Sequence, residues 1–177
     1  MVGRVLKDKG YSEYVTAART LHASGSTSRF CVLGAIDESY PAAIRRERIE
    51  ADVAAGHIEY LGFTDKPYEV MGRPGTVIVL PSYHEGLNRA LMEACALGKP
   101  IITTNIPGCR EAVIEGRNGF LVPKKNAAIL AVAIQKYEDL SVEAKNAMGI
   151  ESRKLAEARF DIHHVFEAYE KVLRENL

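Results

Sequence analysis

Val77-Ile78-Val79-Leu80-Pro81-Ser82-Tyr83-His84-Glu85-Gly86-Leu87-Asn88-Arg89-Ala90-Leu91-Met92-Glu93-Ala94-Cys95-Ala96-Leu97-Gly98-Lys99-Pro100 is the stretch that decides the fold. Thr76 to Leu80 is a short apolar run rich in β-branched residues and stopped by Pro81, which predicts a buried strand. Asn88 to Leu97 is rich in Ala, Leu and Met and ends at Gly98, which predicts a helix. A polar turn from Ser82 to Gly86 joins them. The order is strand, loop, helix, and in open α/β sheets ligands bind at the carboxyl ends of strands.

Two carboxylates mark the ends of this unit. Eight residues of helix rise about 12 Å, whereas a glycosidase pair stands about 5–9.5 Å apart. Glu85 and Glu93 therefore suit the two ends of one long ligand better than a hydrolytic pair. Between them the helix N-terminus offers unpaired N–H groups and a positive dipole end, a site for phosphate. Spacing alone leaves open the plainer alternative of a solvated Glu85 loop and an exposed Glu93 helix face.

The pattern Pro81-Ser82-x-x-Glu85-Gly86-Leu87-x6-Glu93-Ala94-x3-Gly98-x-Pro100 resembles the signature of family-4 (group 1) glycosyltransferases, retaining enzymes of the two-domain GT-B fold. The resemblance continues through Ile101-Ile102-Thr103-Thr104, Pro107-Gly108-x-x-Glu111 and Asn118-Gly119-Phe120-Leu121-Val122-Pro123. Gly3-Arg4-x4-Lys9-Gly10 and Leu61-Gly62-Phe63 belong to it too. Together these motifs cover nearly the whole chain, and only the carboxyl-terminal, donor-binding half of such an enzyme. The strand before the signature departs from the family: an Ala-Asp pair is usual there, and this chain has Arg73-Pro74-Gly75-Thr76.

The resemblance implies a Rossmann-like, doubly wound parallel sheet in a single domain over residues 1–177. It implies a donor that is a nucleoside-diphosphate sugar, with a UDP-sugar preferred over a GDP-sugar, and a glycan or lipid-linked acceptor in surface polysaccharide biosynthesis. Glu85 would contact the hydroxyls of the transferred sugar. The backbone of Gly86, Leu87, Asn88, Arg89 and Ala90 would cradle sugar and phosphate, and Glu93 would accept from the ribose hydroxyls. Gly3 opens the diphosphate loop, where Arg4 and Lys9 would neutralise the leaving group. Gly62 and Phe63 would meet the base, largely through backbone atoms. No metal or other cofactor is implied. The acceptor site falls to an amino-terminal domain, so the chain alone is expected to bind nucleotide weakly and transfer no sugar. A cytoplasmic location is implied, with peripheral contact at the inner face of the membrane. The competing readings are a GT-B sugar-nucleotide epimerase, a non-catalytic nucleotide-binding module and, more remotely, an NAD-binding domain.

Composition narrows the rest. The chain has 177 residues, 47% hydrophobic and 26% charged, ordinary for one globular domain. Lys+Arg and Asp+Glu are equal at 23 each, so no long-range attraction to nucleic acid is indicated. No apolar run approaches the roughly 18 residues of a membrane span, and no signal peptide is evident. Cys31, Cys95 and Cys109 are widely spaced and predicted to be reduced. His-Glu-Gly-Leu-Asn at 84–88 is not a zinc-binding HExxH, and no GxGxxG follows any strand. Ser82 lacks a nucleophile-elbow setting.

Strands are predicted near residues 1–4, 29–35, 58–61, 76–80, 100–103 and 119–122. The first is short, as if the sequence opened within a strand. Helices are predicted over 12–23, 40–54, 66–71, 88–97, 126–140, 141–158 and 161–176. The last helix carries an apolar stripe at Phe166, Tyr169, Val172 and Leu173, predicted either exposed or docked on this domain.

Overall fold

The computed structural model describes residues 1–175. In chain order the elements are α1 (Tyr11–Ala23), β1 (Cys31–Val32), α2 (Arg46–Ala54), β2 (Glu59–Tyr60), α3 (Pro67–Met71), β3 (Ile78–Leu80), α4 (Arg89–Ala96), β4 (Ile101–Thr104), β5 (Gly119–Val122), α5 (Ala127–Glu138), α6 (Val142–Arg159) and α7 (Ile162–Glu175). Strands and helices alternate, and every strand pairing is parallel. Such pairing needs a crossover between strands; helices supply it except between β4 and β5, where the segment 105–118 does.

Side chains of successive strand residues point to opposite faces. Val79, Ile102, Phe120 and Val122 join a core with α1 and α5. Ile78, Leu80, Ile101 and Leu121 join a second core with α4 and α6. Helices therefore cover both faces, which is why these strands read as continuous apolar runs.

The expected α/β class is observed, but the sheet is not continuous. β1 pairs with β2, β3–β4–β5 form a separate sheet, and residues 1–4 contribute only a bridge from Val2 to Leu33. The short first segment donates from Gly3 N to Leu33 O at 2.9 Å and spends its pairing on β1.

The helix expected over 40–54 begins at Arg46. Residues 40–45 instead lie along the first segment, with Lys7 N donating to Ala42 O at 2.7 Å and Ile44 N to Val5 O at 3.2 Å. Extended pairing has displaced a helical turn there, and α2 starts without a side-chain cap from Arg45, its first amide, Arg46 N, donating instead to Glu38 Oε1 at 2.8 Å. Helix starts with short polar caps were more legible: Asn88, Asn126 and Ser141 each accept from a first-turn amide.

In α7 the apolar stripe is exposed. Phe166 is 59% accessible and Tyr169 67%, so of the two alternatives docking on this domain is excluded. The expected end of that helix at Asn176 lies outside the described residues. All three cysteines are free thiols. No helix among the described residues is long and apolar enough to cross a membrane.

Candidate functional site

β3 ends at Leu80, and two buried threonines on β4 hold the loop beyond it. Thr103 Oγ1 donates to Leu80 O at 2.7 Å and Thr104 Oγ1 to Ser82 O at 2.6 Å. Ser82 does not stand as a nucleophile; its hydroxyl donates to Asp8 O at 3.1 Å. Tyr83 N donates to the same carbonyl at 2.7 Å, and the Tyr83 hydroxyl to Glu13 Oε1 at 2.6 Å. Burial, then this bond to Glu13, pushes the Tyr83 phenol above its ordinary range. The loop after β3 is thus fastened to the loop before α1.

That fastening brings two predicted site residues together across 76 residues of sequence. Lys9 Nζ lies 2.6 Å from Glu85 Oε1, with both side chains largely buried (18% and 8% accessible). Gly10 makes the approach possible. Its φ of 77° is left-handed, and a Cβ there would stand 2.1 Å from Pro81 O. Nearby lies Cys109, whose thiol is pushed up by burial, with the Glu85 carboxylate adding to the effect.

Gly108 does the same for the other side of the Glu85 loop. At φ 84° a Cβ would meet Gly86 O at 1.8 Å, and Gly108 O accepts from Asn88 N at 3.3 Å. The expected cradle over 86–90 is therefore narrower than five amides. Asn88 N–H is engaged, and its side chain caps Leu91 N at 3.0 Å. The amides of Arg89 and Ala90, in the first turn of α4, have no intrahelical acceptor and remain for an anion. Leu87 is exposed. Glu93, one turn on, accepts from Arg89 Nε at 2.8 Å on an open surface.

The remaining predicted residues gather on the β1–β2 side. Gly3, Gly34 and Gly62 stack closely: a Cβ on Gly34 would lie 1.8 Å from Gly3 O, and Gly34 N donates to Gly62 O at 2.8 Å. Phe63 projects into solvent with 73% accessibility. Arg4 is exposed, its guanidinium 4.6 Å from the centre of the Tyr40 ring. The predicted residues thus lie beyond the carboxyl ends of β2 and β3, in the segment after the Val2–Leu33 bridge, or in the first two turns of α4. A cavity of about 1280 Å³ lined by Met1, Arg29, Thr76 and Pro100 lies at the opposite, amino ends.

Gly34, Gly108, Glu13 and Tyr40 were missed from the sequence. Only Gly108 carried a signal, within Pro107-Gly108; the others act through contacts between distant segments.

The family profile described as "Glycosyl transferases group 1" matches residues 1–155. The chain belongs to the group 1 glycosyl transferases. Curated relatives include the capsular polysaccharide biosynthesis glycosyltransferase CapM of Staphylococcus aureus, 28% identical over 97% of this chain and 44% of that protein. A putative colanic acid biosynthesis glycosyltransferase, WcaL of Salmonella typhimurium, is 35% identical over 77% of this chain and 34% of that protein. The chain thus spans less than half the length of these relatives. Among solved structures, sucrose-phosphate synthase from Thermosynechococcus elongatus superposes with a TM-score of 0.80 at 26% identity, over 98% of this chain and 44% of that one. HepE of Anabaena, solved with UDP, gives 0.79 at 19% identity over 98% and 48%, a likeness of fold. As a group 1 member with both sheet faces covered, the chain has the Rossmann-like form of the carboxyl-terminal half of a GT-B fold.

Proposed function

We propose that this chain is the donor-binding domain of a retaining, family-4 hexosyltransferase, taking a nucleoside-diphosphate sugar and serving a glycan or lipid-linked acceptor in surface polysaccharide biosynthesis. The observation that carries this reading is the Lys9–Glu85 contact beside the free first-turn amides of α4. A cation, a carboxylate and a helix N-terminus meet at the carboxyl ends of parallel strands, a site for a phosphate with a hydroxylated group next to it.

In this reading Arg4 and Lys9 hold the diphosphate, and the amides of Gly86, Leu87, Arg89 and Ala90 extend the anion site. Glu85 turns to the sugar hydroxyls and Glu93 exchanges Arg89 for the ribose. The bond from the sugar's anomeric carbon to the diphosphate oxygen breaks, its electrons leave with the nucleoside diphosphate, and the acceptor hydroxyl oxygen attacks from the same face as its proton passes to the departing phosphate oxygen. Fixed cations at the developing phosphate charge are the main catalytic device, and no metal is required. Uridine is the preferred base, in line with two solved structures of the same fold that hold UDP, HepE and the pneumococcal O-GlcNAc transferase GtfA. The acceptor site belongs to an amino-terminal domain. The full enzyme works in the cytoplasm against the inner membrane face, and this chain by itself binds nucleotide weakly without transferring sugar.

The test is a thermal-shift titration of the chain with UDP, GDP and NAD, beside Arg4→Ala and Glu93→Ala. Ligand at 100 times its Kd adds about 2.7 kcal/mol. A shift with UDP that both substitutions abolish is expected. A shift with NAD alone, or sugar transfer by the isolated chain, would overturn the reading.

A further inference from the structure

Arg4 and Lys9 are held in opposite ways. Lys9 is neutralised by Glu85, whereas among the described residues no carboxylate pairs with Arg4. Its partner is the face of Tyr40, 4.6 Å away. An aromatic face attracts a guanidinium without consuming its N–H donors, so the charge and the donor fork stay available.

The segment that carries Tyr40 is laced to the one that carries Arg4. Val5 N donates to Ala35 O at 3.0 Å, Lys7 N to Ala42 O at 2.7 Å and Ile44 N to Val5 O at 3.2 Å. Leu6 and Ala43 form an antiparallel bridge. Within the segment a turn closes from Tyr40 N to Asp37 O at 3.2 Å and from Ala43 N to Tyr40 O at 2.9 Å. The backbone that carries the ring therefore has a fixed place relative to that of Arg4, and the ring is reached by the guanidinium from there. A free, exposed arginine would sample many rotamers, and ordering it at the moment of binding weakens affinity.

We infer that Tyr40 is a positioning residue: it presents the Arg4 guanidinium, uncompensated and already ordered, to the diphosphate of the ligand. The inference rests on the donor-site reading above. It makes Arg4 the first cation to engage the anion, since Lys9 must first leave Glu85.

The test is isothermal titration of UDP and of uridine into the chain and into Tyr40→Leu, Tyr40→Phe, Arg4→Ala and the Arg4→Ala/Tyr40→Leu double variant. Tyr40→Leu should weaken UDP about threefold, the size of an exposed cation–π contact, and leave uridine unchanged. Tyr40→Phe, which keeps the ring, should match the parent. In the Arg4→Ala background Tyr40→Leu should add nothing. Equal losses for uridine and UDP, or a further loss in the Arg4→Ala background, would make Tyr40 a direct contact and overturn the inference. So would an unchanged UDP affinity in Tyr40→Leu while Arg4→Ala weakens it. Absence of UDP binding to the parent chain, or an Arg4→Ala variant that binds normally, overturns the donor-site reading and this inference with it.

Discussion

The β1–β2 half and the β3–β4–β5 half of the molecule are held together by different means. In the second, seven residue pairs run in parallel register, and ten of the eleven strand residues are buried. In the first, two pairs and the Val2–Leu33 bridge make up the sheet, and Cys31, Glu59 and Tyr60 are only half-buried. No strand ladder among the described residues joins the halves. A shared core does, in which Val32 and Ile58 join Val79 and Ile102 with α1 and α5, and the loops add Asp8, Glu13, Ser82 and Tyr83, the Lys9–Glu85 pair and the Gly10–Pro81 approach. The candidate site lies on the seam where these loops meet, so the contacts that form the site also help to unite the fold.

Breaking the seam should have the largest effect. Gly10→Ala adds a Cβ 2.1 Å from Pro81 O at a left-handed φ, and should destabilise by about 3 kcal/mol or more, a fall of at least about 6 °C in Tm by calorimetry. Gly56→Ala, also left-handed but with open space around it, is the control and should cost about 1 kcal/mol. Equal losses would place the strain in φ alone and not in the seam.

Lys9→Met should come next, at about 3 kcal/mol by urea unfolding, because it leaves a buried carboxylate without its partner. Glu85→Gln in that background should recover most of the loss; if it does not, the lysine acts through packing.

The amino-terminal half also carries an acid-sensitive pair. Arg29 Nε donates to Glu59 Oε1 at 2.7 Å, and this bond, against burial, holds the Glu59 carboxyl below its ordinary range. The unfolded chain therefore takes up this proton at a higher pH than the folded one, and the pair's contribution to stability should be lost as pH falls through the carboxylate range. Arg29→Ala should remove this part of the acid slope in urea unfolding; an unchanged slope would show that Glu59 is not held by Arg29.

The smallest effect belongs to a pair within one element. Arg89→Ala removes an exposed ion pair on α4 and should change stability by less than about 0.5 kcal/mol. A larger loss would mean that α4 needs Arg89 to begin.

The better-paired half was also the more legible. Ile78–Leu80, Ile101–Thr104 and Gly119–Val122 announced themselves because burial on both faces demands unbroken apolar runs. Asn88, Asn126 and Ser141 did so because a cap is a local bond. The spacing of Glu85 and Glu93 pointed to the site, but the partner of Glu85 lies 76 residues away and no local pattern names it. Gly34 was equally hidden, and Gly108 showed only as part of Pro107-Gly108, because close backbone approach depends on two segments. Residues 40–45 misled because Pro41-Ala42-Ala43 gives no sign of the extended segment that claims them.

On the donor-site reading the Lys9–Glu85 pair would make nucleotide binding an exchange. The resting protein supplies its own counter-ion, and an incoming phosphate has to displace a carboxylate held at 2.6 Å. Each 1.4 kcal/mol needed to part the two lowers the competent population, and with it the apparent affinity, about tenfold. On the donor-site reading this sets a threshold. A monophosphate offers one group to both Arg4 and Lys9 and competes poorly, whereas a diphosphate engages Arg4 with one phosphate while the other contends for Lys9. Once released, Glu85 is left facing the sugar, so departure of the internal ion pair and arrival of the sugar's hydrogen-bond acceptor are a single event.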